Sequence, residues 1–139
     1  MTSTTIGLAG LLDNNNGDMI AYCFAPVEGY SAFGSYESSS SLPFVYTGFS
    51  PRWILIKNLD ASNDWIIYDT ERNSYNESST VVAANLTTAE SGFTSGYNID
   101  ILSNGFKIRT SSSGAINANT HFYAAFAEHP FASNGGLAR

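Results

Sequence analysis

From Met19 onward, clusters of Gly, Asn, Ser and Pro recur about every ten residues and cut the chain into short apolar runs of strand length. That spacing implies an all-β fold with little helix, an antiparallel β-sandwich of jelly-roll-like kind. The polar residues agree: 19 Ser, 11 Thr and 13 Asn dominate the non-apolar positions. Their side chains hydrogen-bond nearby backbone, which disfavours helix interiors and suits turns and strand ends. With 43% hydrophobic residues in 139, the chain has apolar matter for a single core and is not a disordered polypeptide.

Nine strands are expected, over Met19 to Phe24, Ser31 to Tyr36, Phe44 to Thr47, Arg52 to Lys57, Asp64 to Thr70, Thr80 to Asn85, Tyr97 to Leu102, Phe106 to Thr110 and His121 to Glu128. YNIDIL and FKIRT alternate, with Tyr97, Ile99 and Ile101 opposing Asn98 and Asp100, and Phe106 and Ile108 opposing Lys107 and Arg109. The Asn104-Gly105 step between them signals a hairpin with a type I′ turn, and sets Asp100 near Lys107 or Arg109. RWILIK and DWIIYD are apolar on both faces, the pattern of central strands covered on each side. The polar link LDASND makes them a second hairpin. In the last strand Phe122, Ala124 and Phe126 oppose Tyr123, Ala125 and Ala127, and Pro130 ends it.

These runs divide the chain into an N-terminal arm or connector over 1–18, one β-sandwich domain over 19–131, and a loose or docked tail over 132–139. Twelve acidic side chains against six basic ones give a net charge of −6, and so few scattered cations cannot neutralise a phosphate backbone; nucleic acid is excluded as a partner. No apolar stretch approaches the ~18 residues of a membrane span, and no basic residue precedes the first apolar run as in a signal peptide, so the expected chain is soluble, unprocessed and not inserted in membrane. The single cysteine, Cys23, reads as a small buried hydrophobe.

Signatures of catalysis are sparse. His121 and His129 are eight residues apart, about 26 Å along a strand, too far to share a metal. There is no Gly-x-Ser-x-Gly, His-Glu-x-x-His or Cys-x-x-Cys. Asp64, Asp69, Asp100 and Glu128 could form a carboxylate pair only if the fold brought two of them together, and a solvated surface is the better reading. Asp13, Asn15 and Asp18 sit in a calcium-loop-like run around Gly17, but the glutamate an EF-hand needs is replaced by Phe24; a polar turn is preferred, and no cofactor is expected. The sequons at Asn76 and Asn85 carry no weight without a secretory signal.

Aromatic residues crowd the first third between glycines and serines. Phe24, Phe44 and Tyr46 are expected in the core. Tyr30, Phe33 and Tyr36 are the candidate contact residues, for a glycan stacked on their faces or for another subunit.

The string MIAYCFAPVEGYSAFGSYESSSSLPFVYTGFSPRWILIKNLDASNDWIIYDTERNSYN, followed in order by DILSNGFKIRTS and FYAAFAEHPF, resembles a domain common in tailed-bacteriophage genomes. Such domains occur in tail-fibre-like and other virion proteins, often after a concanavalin-like lectin module. The likeness runs from about Met19 to Phe131 and brings no catalytic residues with it. It implies a non-enzymatic structural or interaction module on the virion surface, assembled in the host bacterial cytoplasm, of tail-fibre or receptor-binding type. A capsid head decoration (cement) protein and a free carbohydrate-binding module are the alternatives. Partners would be other virion subunits, a homo-oligomer with a trimer favoured, and a host-surface glycan. A free carbohydrate-binding module requires exposed coplanar rings among Tyr30, Phe33, Tyr36, Tyr75 and Tyr97.

Overall fold

A computed structural model describes residues 22–38, 41–90, 93, 95–111 and 113–130. These form eight strands and no α-helix: β1 (Ser31–Ser38), β2 (Phe44–Tyr46), β3 (Pro51–Asn58), β4 (Trp65–Asp69), β5 (Val82–Ala83), β6 (Ile99–Leu102), β7 (Gly105–Ile108) and β8 (Asn119–Ala127). They build two antiparallel sheets, one of five strands in the order β1-β8-β3-β4-β5 and one of three in the order β2-β7-β6. The all-β antiparallel sandwich read from the sequence is the fold observed. Eight of the nine expected strands are present. The other, Met19 to Phe24, lies partly outside the described residues, and its described part, 22–24, is not strand.

The core lies between the sheets because each strand turns alternate residues inward. Ile54, Ile56, Ile66, Tyr68, Tyr123 and Ala125 face in from the large sheet, and Val45, Ile99, Phe106 and Ile108 from the small one. Phe106 is the ring that joins them, edge-on to Tyr36 at 6.1 Å and to Tyr123 at 5.8 Å. Buried hydroxyls find carbonyls across the sandwich: Tyr68 Oη donates to Tyr97 O and Tyr36 Oη to Ile116 O, both at 2.7 Å. Burial raises the pKa of both phenols, so they stay protonated donors.

Both expected hairpins form. In β3–β4 the loop is organised by its own polar side chains: Asn58 Oδ1 accepts from the Asp60 and Ala61 N–H groups, and Lys57 Nζ donates to the carbonyls of Asn58, Ala61 and Asn63. In β6–β7 the register Leu102↔Gly105 leaves Ser103 and Asn104 as the two turn residues, neither with positive φ. The type I′ turn is therefore not what forms. Gly105 is instead the first residue of β7, and a Cβ there would lie 2.1 Å from the Val45 carbonyl oxygen. Glycine is needed for the close approach of β2, not for the turn. Arg109 Nε lies 3.3 Å from Asp100 Oδ2, the cross-strand pair the alternation implied.

β3 and β4 are central but are not covered on both faces as expected. Ile54, Ile56, Ile66 and Tyr68 are buried, whereas Trp53, Leu55, Ile67 and Trp65 on the other face remain partly or largely exposed. The smaller sheet covers only one side of the larger.

Candidate functional site

The face of the five-stranded sheet that the described residues leave uncovered is where this protein departs most from an ordinary solvated sandwich. An outer sheet face usually alternates to polar residues. Here the strand registers place Phe33 beside Ala124, Ala124 beside Leu55 and Leu55 beside Ile67 in one cross-strand row, with Phe126 beside Trp53 in the next. Phe122 and Trp65 flank Lys57 in a third row, and the Lys57 amine is already engaged by three carbonyls.

Phe126 is the hub of the aromatic cluster on this face. The rings of Phe33, Trp53 and Tyr30 stand 5.8, 5.7 and 5.9 Å from it, tilted or edge-on. Phe24 lies nearly parallel to Phe33 at 5.5 Å. Phe24 is 68% exposed and Tyr30 41%, so the cluster is open at one end. Contiguous half-exposed rings gain by being dehydrated against another surface. Such a face offers apolar area for burial and carries few charges.

The sequence candidates divide across the sheet. Tyr30 and Phe33 lie together on the outer face. Tyr36 does not: it is an inner-face residue, buried, stacked on His121 at 5.0 Å and bonded to Ile116 O, so it cannot meet a ligand. The error is one of parity, because Phe33 and Tyr36 are an odd number of residues apart in one strand and point to opposite faces. Phe24, Phe44 and Tyr46, expected in the core, are exposed, and so is Cys23. Phe44 and Tyr46 flank the buried Val45 on a three-residue edge strand, where alternation turns both to solvent.

The sequence reading missed Trp53 and Phe126 as surface residues. The signal was present in the alternation of the last strand, but nothing local says which face the small sheet will cover. Of the other rings, Tyr75 is 84% exposed beside a cleft of about 260 Å³ lined by Glu71, Asn73, Asn76 and Glu128, and Tyr97 stands edge-on to Phe93.

The candidate acids are each held by a partner of their own. Asp64 accepts from Asn85, Asp69 caps the Glu71 N–H, Asp100 pairs with Arg109 and Glu128 accepts from Ser50. His121 is fully buried, its Nε2 3.4 Å from Gly114 O, while His129 is exposed beyond β8. Burial lowers the pKa of His121 and keeps the ring neutral. Among the described residues no three His, Cys, Asp or Glu side chains cluster to hold a metal ion. The calcium candidates Asp13, Asn15 and Asp18 lie outside the described residues. No helix among the described residues is long and apolar enough to cross a membrane.

No curated protein and no solved structure matches the chain. A family model does, over residues 1–130, and on that match the chain belongs to the family DUF7483, a domain of unknown function.

Proposed function

We propose that this protein is a non-enzymatic interaction module of a tailed-phage virion, most simply of tail-fibre or receptor-binding type, that docks onto another virion subunit through the outer face of its five-stranded sheet. The observation that carries the docking role is the aromatic cluster of Phe24, Tyr30, Phe33, Trp53 and Phe126, continuous with Leu55 and Ile67 on a face that the other sheet does not cover and that stays partly exposed among the described residues. The virion setting rests on the likeness of the Met19 to Phe131 region to tailed-phage domains. Head decoration is the second placement on the same particle.

The glycan-binding alternative draws less support from the geometry. Rings packed edge-on to one another offer their edges and fragments of their faces, whereas a sugar stacks on an open ring face. Tyr75, the most exposed ring, stands beside a polar cleft and is the place to look for a sugar contact.

The test is immunogold electron microscopy of virions purified from the phage that carries this chain. Gold on the tail supports receptor binding or fibre assembly, and gold over the head supports decoration. Virions without gold, with the chain left in the soluble lysate, overturn the proposal. Phe33→Asp, which puts a charge into the aromatic cluster on the outer face without touching the inner core, is expected to abolish incorporation.

A further inference from the structure

Each sheet of the sandwich ends in two edges, and three of the four are closed or short. β6 is covered by the preceding loop, where Ser78 bridges Ile99 and the Asn76 side chain both accepts from the Ile101 N–H at 2.8 Å and donates to its carbonyl at 2.9 Å. β5 is two residues long. β2 has three and follows Pro43. β1 is different. It runs for eight residues without Pro, a basic residue or a bulge, and Glu37 is the one charge that blunts it.

The direction of its free groups follows from the ladder. Ala127 N–H donates to Tyr30 O at 2.9 Å, so every second residue from there, Ala32, Gly34, Tyr36 and Ser38, turns its backbone N–H and C=O toward β8. Ser31, Phe33, Ser35 and Glu37 turn theirs away. Ser31 is satisfied by Val27, whose N–H and C=O exchange bonds with it at 3.1 and 2.8 Å. Among the described residues, nothing bonds the outward groups of Phe33, Ser35 and Glu37.

We infer that this edge is an interface between two copies of the chain, joined by antiparallel pairing of β1 with the β1 of a second molecule. An open strand edge is matched by another extended strand. Among the described residues β1 is the only long open edge, so the strand that fits it in a second copy is β1 again. A strand paired with itself gives an isologous contact about a twofold axis, where a ring of three would need two different open edges. The register is set by the free groups. Centring the axis on Ser35 pairs Phe33 with the partner's Glu37 and Ser35 with the partner's Ser35. That register uses all three free residues of each strand, whereas a shift of one residue toward Gly34 sets Glu37 against a Ser31 already bonded to Val27. It opposes no like charges, and it joins two five-stranded sheets into one continuous sheet with both aromatic faces on the same side.

This pairing does not depend on the virion reading: a failed dimer leaves immunogold labelling of virions untouched, and unlabelled virions leave the dimer untouched. It is tested by sedimentation velocity of the full chain from micromolar to several hundred micromolar. The wild type is expected to dimerise. Ser35 is exposed, so Ser35→Lys and Ser35→Glu retain the fold, checked by circular dichroism and melting temperature, while setting like charges face to face on the axis. Each alone is expected to weaken the dimer at least about fivefold, and an equimolar mixture to restore it as a heterodimer. Ser35→Pro, which removes one free N–H from an edge that tolerates proline, is expected to be monomeric. A wild type that stays monomeric at every concentration overturns the inference, and protection of the Phe33, Ser35 and Glu37 amides in that monomer would show the chain's own residues 1–21 on the edge instead. A dimer indifferent to all three variants also overturns it.

Discussion

Replacing Gly105 with alanine isolates the contact that holds the small sheet together. The added Cβ would sit 2.1 Å from Val45 O and 3.0 Å from the Phe44 ring, against an ordinary contact of 3.4 Å or more, so β2 must move out by about 1.3 Å. β2 has only three residues, and a shift of that size breaks the pairing of Tyr46 with Gly105 and pulls on the Thr47 and Gly48 N–H bonds to Asn104 O. Overpacking costs about 1–3 kcal/mol, and one or two strained backbone bonds add about 1 kcal/mol each. Stiffening the unfolded chain returns about 0.4–1 kcal/mol. The net expectation is a loss of about 2–3 kcal/mol in urea unfolding followed by the fluorescence of Trp53 and Trp65. Asn104→Ala is the control. If the sequence reading of a positive-φ turn were right, Asn104 would matter, whereas the observed turn leaves its side chain in solvent and the change should stay within about 0.5 kcal/mol. A Gly105→Ala protein as stable as wild type, or an Asn104→Ala protein equally damaged, would refute the close-approach explanation.

Other expectations follow from single contacts. Tyr36→Phe leaves Ile116 O without its donor in the core and should cost about 1–2 kcal/mol in the same urea titration, with no change if the hydroxyl is idle. His121 is held neutral by burial, so below its ordinary value of 6.5 the unfolded chain takes up a proton that the native one refuses. Stability should therefore fall as pH drops below about 6.5, by at most ~1.4 kcal/mol per pH unit. Thermal melts above about pH 4.5 keep Asp60 out of the titration, since its carboxylate is held ionised by the Thr120 N–H, and His121→Gln should flatten the slope. Cys23 is exposed and should react fully with a thiol reagent in the native state, whereas a buried thiol would wait for unfolding.

Much of the fold was legible in local pattern. Strand positions from Ser31 to Ala127 follow from apolar runs and turn residues, because period-two alternation and backbone-seeking Asn, Asp and Ser side chains act within a few residues of themselves. Both hairpins were readable for the same reason, and so was the facing of the last strand, where Phe122 and Phe126 oppose Tyr123. Tyr30 and Phe33 were readable as contact candidates from their company of small polar residues.

Three things depended on the tertiary structure. The sequence cannot say which face of a two-sided apolar strand is covered, so Trp53, Leu55 and Ile67 looked like core until a three-stranded sheet was seen to cover only the other side. Nor can it say what a glycine is for when two physical reasons fit it: Gly105 reads as a turn residue, and only the nearness of Val45, sixty residues away in the chain, shows that it makes room for a neighbouring strand. Finally, whether an edge is open depends on every other element. β6 is closed by Asn76 and Ser78, while the outer edge of β1, a longer strand, is left open by the described residues from Phe33 to Glu37. Alternation and turn chemistry belong to neighbouring residues and are written locally; covering, close approach and edge closure belong to residues that meet only when the chain has folded.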